Sequence, residues 1–432
     1  MSESQIFVGI GLIFALAVGC QIVAAKFRIP AIILLLPVGF AAGNLITAVD
    51  PEKLLGAAFT PLVSIAVAII LFDGGLDLSR GKLRGDDRTV VNRLRSVGVA
   101  ITWLGAAVFA WLLLGLSSKA AIMLGAILIV SGPTVVTPLL EAARPGKRLT
   151  AILGFEGTTV DPIGAMVAVV VFQYVQANHR HGVVDGALGF LGRIGIGVAA
   201  GAVGVAVLWL LLGRLGLRGL LGAEAIIATV VTVAALSDAI SSDTGLVAAI
   251  SMGVVIANLH GIHVPEDRPF LKTVVQLTIG ILFISISATV TPASMRGVVW
   301  PTIGLIACLV LVVRPLVALV ATFRTDLTRN ERIFVGSMDP RGIVAASTAA
   351  TFSASLVTLG IGGANKLLPA TFLVIVGTVT VYGLGAVPLV RALGLGGDER
   401  AATSAVDSPS VTAQSDQSDA PSEAQRRERT ID

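Results

Sequence analysis

The stretch Ile129-Val130-Ser131-Gly132-Pro133-Thr134-Val135-Val136-Thr137-Pro138 decides the fold. It lies within an apolar run, residues 119–142, that is long enough for a spanning helix but is interrupted by two prolines. Proline lacks an N–H, and its ring clashes with the carbonyl four residues back. Pro133 therefore frees the Ile129 carbonyl, and Pro138 frees that of Thr134. Hydrocarbon cannot satisfy a free carbonyl, so such a helix must turn its break toward protein or a wet cavity. A second run, 331–358, is broken in the same way at Asp339-Pro340-Arg341-Gly342, where Pro340 frees the Gly336 carbonyl. A single proline reads as a packing kink. Two broken segments at corresponding places in a chain point to the binding site of a transporter.

The rest of the chain fits a membrane protein. Of 432 residues, 55% are hydrophobic and only 13% charged, and the mean hydropathy is +0.90. Soluble domains carry about 25% charged residues, so a water-soluble enzyme is excluded. About thirteen apolar segments fill residues 5–392. They are long, continuous and rich in Ala and Leu, where a β-barrel would alternate over about 10 residues. The 48 glycines suit the close approach of helices in lipid. Cys20 and Cys308 sit in apolar runs and offer neither a disulfide framework nor a zinc site. The net charge of +4 gives no case for nucleic acid.

Lys and Arg set the orientation. Arg80, Lys82, Arg84, Arg88, Arg93 and Arg95 crowd one connection, and the loops on that side outweigh the other by roughly three to one. The positive-inside rule then puts the N-terminus outside and the C-terminus inside. Residues 1–395 read as the transmembrane domain. Residues 396–432, rich in Ser, Asp, Gln and Glu, read as a disordered cytoplasmic tail. The breaks fall in the fifth and twelfth segments. Segments one to six and eight to thirteen then form two six-helix units, inverted about a linking seventh, with the two discontinuous helices crossed.

Ionisable residues at depth mark the chemistry. In Phe155-Glu156-Gly157-Thr158-Thr159-Val160-Asp161-Pro162, Asp161 lies about 18 Å into the sixth segment, near the bilayer middle. A carboxylate there costs about 2.5–3.5 kcal/mol on insertion scales. Pro162 frees the Thr158 carbonyl one turn away, and Thr158 and Thr159 add hydroxyls. Carboxylate, carbonyl and hydroxyl oxygens suit a small hard cation. Ser131 and Thr134, from the fifth-segment break, are counted with them as cation- and proton-binding residues. Arg341 lies at similar depth and needs a partner; Glu156 is the expected one, as a structural ion pair. Asp339 reads either as a structural partner of Arg341 or as a second acid for the ion. Asp73 reads as a funnel or packing residue, Arg314 as a cation that snorkels inward, and Asp238 as part of a solvated vestibule. His260 and His263 read as loop histidines. With no phosphate-binding loop and no nucleophile motif, neither ATP drive nor an enzyme activity is expected, and no cofactor.

These residues resemble the CPA1-type monovalent cation/proton antiporters, the NhaP-like sodium/proton exchangers. That family carries Glu-x-x-x-Asn-Asp in its sixth helix, matched by Glu156 and Asp161 with Val160 in place of Asn. It carries Gly-x-Arg-Gly in its twelfth, matched by Arg341-Gly342. The runs 71–76, Val313-Arg314-Pro315-Leu316 and 246–253 are also similar to it. Two departures stand out. The family's fifth-helix Thr-Asp-Pro is Ser131-Gly132-Pro133 here, and Asp339 stands where the family usually has Gly, which suggests that Asp339 replaces the lost acid. The resemblance implies alternating access, a core bundle moving against a dimerisation bundle, and a homodimer in a bacterial plasma membrane. It also implies exchange of a monovalent cation, sodium first, for protons. The alternatives left open are a potassium/proton antiporter or efflux system and, more distantly, an ion channel.

Overall fold

In lipid a backbone has to satisfy its own polar groups, and long Leu/Val/Ile/Ala runs do so as helices. A computed structural model of the chain describes residues 3–27, 29–76, 85–180, 183–241, 244–259 and 269–396, and among these there is no strand. The acidic and polar tail, Arg80, Lys82, Arg84, His260 and His263 lie outside the described residues.

Besides short turns, the helices are α1 (Glu3–Phe27), α2 (Ile32–Leu45), α3 (Phe59–Leu76) and α4 (Gly85–Leu114). There follow α5 (Ser118–Ile127), α6 (Pro133–Ala143), α7 (Lys147–Arg180) and α8 (Val183–Leu208). The second half comprises α9 (Gly219–Ile240), α10 (Gly245–Asn258), α11 (Pro269–Thr289), α12 (Val299–Ala321), α13 (Arg329–Val335), α14 (Ile343–Thr358) and α15 (Leu367–Ala392). Among the described residues nine helices are long and apolar enough to cross a membrane, and four shorter apolar ones accompany them.

The interrupted segments are each two half-helices. Residues 128–132 separate α5 from α6, and Pro133 begins α6, where its missing N–H costs nothing. Residues 336–342 separate α13 from α14.

Two helix pairs reveal the internal repeat. Helix α3 packs along α10, and α2 along α11. A six-helix inverted repeat exchanges these two pairs. Each is made close by glycine. A Cβ on Gly253 would stand 2.3 Å from the Phe72 carbonyl oxygen, and one on Gly43 2.4 Å from that of Ala288. The repeat-related helices α4 and α12 also match: each contains a π-helical turn, Leu94–Gly98 and Leu309–Val313. Gly197 and Gly201 of α8 face Val247, Ala248 and Ser251 of α10, so that small-residue stripe is used within the chain.

Candidate functional site

The two breaks meet. A Cβ on Gly342 would lie 3.0 Å from the Gly132 nitrogen, so the backbones touch where α5–α6 and α13–α14 cross. Helix α7 closes the third side. Gly164 lies one turn beyond Asp161, and a Cβ there would meet the Val130 Cα and N at 3.1 Å. The Asp161 face of α7 is therefore pressed against the break that carries Ser131.

Asp161 is 5% exposed, and its Oδ1 accepts no hydrogen bond among the described residues. Buried polar atoms are nearly always paired, so an exception needs an explanation. A carboxylate kept without a partner at the crossing of two broken helices is suited to accept a proton or a cation. The Thr158 hydroxyl donates 2.8 Å to the Gly154 carbonyl, and that of Thr159 donates to Phe155. Both hydroxyl oxygens keep lone pairs free. Thr158, three residues before Asp161, shares its face. Thr159, two residues before, lies on the opposite face. Ser131 is buried in the break. Thr134 begins the second turn-face of α6 directly after Pro133, but its side chain lies outside the described residues.

The ion pairs differ from the sequence expectation. Glu156 does not pair with Arg341. It accepts both Arg314 terminal nitrogens, at 2.5 and 2.8 Å. Arg314 is 2% exposed, so it does not snorkel; its Nε donates 3.0 Å to the Val335 carbonyl at the end of α13. Arg341 pairs instead with Asp339 at 2.8 Å. The reason is local: residues 339–341 are non-helical, so these two side chains are not held about 200° apart as positions i and i+2 of a helix would be. The second Arg341 terminal nitrogen donates 3.0 Å to the Ile129 carbonyl, which is the oxygen freed by Pro133. Each guanidinium thus ties a carboxylate to a carbonyl at the C-terminal end of a half-helix, where the helix dipole favours a cation. A small cavity beside them is lined by Thr102, Val160 and both pairs. Asp238 is no open vestibule residue: its Oδ1 accepts the Gly245 N–H at 2.6 Å and starts α10.

The description "Sodium/hydrogen exchanger, transmembrane" matches residues 12–392, nearly the whole described chain. The chain belongs to the transmembrane sodium/hydrogen exchanger family. It is accordingly a multi-pass membrane protein of a transporter family. It is 23% identical over 351 residues to the K(+)/H(+) antiporter NhaP of Alkalimonas amylolytica, covering 78% of this chain and 58% of that protein. It is 24% identical over 380 residues to K(+)/H(+) antiporter NhaP2 of Shewanella sp. (strain ANA-3), covering 86% and 64%. The chain therefore spans less than two thirds of the length of these relatives. Its fold is similar to that of the sodium proton antiporter MjNhaP1 from Methanocaldococcus jannaschii, with a TM-score of 0.74 at 19% identity, covering 92% of this chain and 100% of that one.

Sequence reasoning missed Arg314 as a member of the buried network. It lies about seven residues, or about 10 Å, from the C-terminal end of α12, farther than an arginine side chain reaches. It also missed Gln173 and Thr371, whose buried Oε1 and Oγ1 have no hydrogen-bond partner among the described residues. Neither carries a signal in sequence, because a lone Gln or Thr in a helix is ordinary.

Proposed function

We propose that the chain is a secondary active antiporter that exchanges a monovalent cation for protons by alternating access. The observation that carries this reading is Asp161: buried, unpartnered, and packed against the crossing of two broken helices. Asp161 binds a cation or a proton, never both. With Arg314 and Arg341 each paired in charge with its own carboxylate, Asp161 is the group left to exchange its ligand. Ser131, Thr134, Thr158 and the Thr158 carbonyl freed by Pro162 supply further oxygens. One titrating carboxylate supports one-for-one, electroneutral exchange. Asp339 does not take the place of a second ion-binding acid, because its charge is committed to Arg341.

Sodium remains the first substrate to try, by family description. Potassium is the second, since both named bacterial relatives are potassium/proton antiporters. The reading includes a homodimer in the cell membrane, N-terminus outside, and the segment after residue 396 in the cytoplasm. The test is purified protein in proteoliposomes with an internal pH dye, titrating Na⁺, K⁺ and Li⁺ in turn. Cation-driven proton movement is expected, abolished in Asp161→Asn. Cation flux that moves no protons would make it a channel. Undiminished exchange in a well-folded Asp161→Asn protein would remove the site.

A further inference from the structure

Three carboxylates and two guanidiniums are buried about the crossing: Glu156, Asp161 and Asp339 against Arg314 and Arg341. With all five ionised, their net charge is −1. One monovalent cation, or one proton on Asp161, brings it to zero. Asp339 decides this balance. Its partner Arg341 lies in its own break, while Arg341 also reaches the Ile129 carbonyl of the other. Without it, Arg341 would still be drawn to the Ile129 carbonyl, and the crossing would be neutral before any ion entered.

We infer that Asp339 is a charge-setting residue: through its pair with Arg341 it fixes the empty crossing at one negative charge and so sets both cation affinity and working pH. The inference rests on the antiport reading given above. Asp339 need not touch the ion; it acts through Arg341, whose guanidinium sits on the break that faces Asp161. Glu156 lies within electrostatic reach of both Asp339 and Arg341. Tyr382 of α15 faces Glu156, Arg314, Asp339 and Arg341, and Asp73 lies in the last turn of α3, which packs against α7. Lys119, Glu141 and Glu331 lie toward helix ends, as do Asp86, Asp87, Arg88, Arg93 and Arg95 of α4, and Arg193 of α8 donates to Gln176, about four turns along α7 from Asp161. Tyr382 and the helix-end groups are unchanged in the variants below, as is Asp73, so they offset all profiles alike.

The sign of each change is fixed. Asp339→Asn makes the crossing more positive. The protonated form of Asp161 is then less favoured and a cation is bound more weakly. The pH of half-maximal exchange moves down by about one unit and the cation KM rises about tenfold, with kcat little changed. Arg341→Gln makes the crossing more negative and moves the profile up. The double variant Asp339→Asn/Arg341→Gln restores −1 and should return both quantities toward the parent. A merely structural pair would give two losses in one direction. Asp339→Glu keeps the charge and should keep the pH profile, which covers the case in which Arg341→Gln does not fold. All are measured in proteoliposomes as exchange against pH and cation concentration. Unmoved profiles in Asp339→Asn, single variants shifting the same way, or Asp339→Glu behaving as Asp339→Asn would each overturn the inference. A parent protein silent with all three cations would instead overturn the antiport reading.

Discussion

The Glu156–Arg314 pair shows what a buried charge demands of its surroundings. Both carboxylate oxygens and all three guanidinium nitrogens are used, two on Glu156 and one on the Val335 carbonyl. Removing one partner strands the other in a medium that solvates it poorly, at a cost of about 3–5 kcal/mol. Glu156→Gln and Arg314→Gln are each expected to lower the melting temperature in detergent strongly. Glu156→Gln combined with Arg314→Gln should recover part of the loss, since no charge is then stranded. Strictly additive losses would show that the pair is not coupled. The threonines allow a finer comparison. Thr158 shares the Asp161 face and Thr159 does not, so Thr158→Val should raise the cation KM several-fold while Thr159→Val changes it little. Equal effects in transport assays would mean that the turn is rotated from a regular helix.

At the level of the elements, the breaks were legible, and of the pairings Asp339–Arg341 was one of the two readings the sequence offered for Asp339. A proline in an apolar run is a local rule, and Pro133 and Pro340 mark half-helix boundaries within a few residues of where the backbone places them. Asp161 was legible too, because depth along a helix is simple arithmetic. Which arginine meets Glu156 was not. The π turn Leu309–Val313 directly precedes Arg314. Such a turn inserts a residue relative to α-helical pairing and rotates everything after it, so the face of Arg314 could not be taken from an ideal wheel. Asp339 reaches Arg341 where the chain is not helical, which the sequence marks only as a break. The glycine contacts lead to a prediction at the same scale. Gly164→Ala would put a methyl 2.8 Å from Val130 Cγ2 and 3.1 Å from its backbone. The expected cost is about 1–3 kcal/mol, together with reduced exchange, because the displaced segment carries Ser131. Gly154, whose added Cβ would meet nothing within 4 Å, is the control: Gly154→Ala should leave the melting temperature near that of the parent.

Across the whole molecule, two kinds of charge network occupy different depths and have different pH ranges. At one end of the bundle, Arg148 at the start of α7 bonds Asp87 of α4 at 2.7 Å and Asp326, between α12 and α13, at 2.5 Å. The hydrogen bond from Arg148 holds the exposed Asp326 carboxyl below the usual carboxylate range. For a carboxyl shifted down, the stabilising interaction is complete above its unfolded pKa and is lost only as pH falls through the folded one. That window lies well into acid, so this strap stays charged throughout neutral pH and cannot shape transport there. On the antiport reading proposed above, the pH dependence of exchange near neutrality comes from the buried crossing. If proton and cation compete for Asp161 as proposed, then below its pKa the cation KM should rise about tenfold per pH unit while the rate at saturating cation holds. Asp326→Asn should leave this curve in place, and Asp339→Asn should displace it. Initial rates across a pH series at several cation concentrations, with the membrane potential clamped, read all three. A saturating rate that falls with pH at constant KM would mean that protons act elsewhere than on the ion's own ligand, and the single-carboxylate exchange would fail.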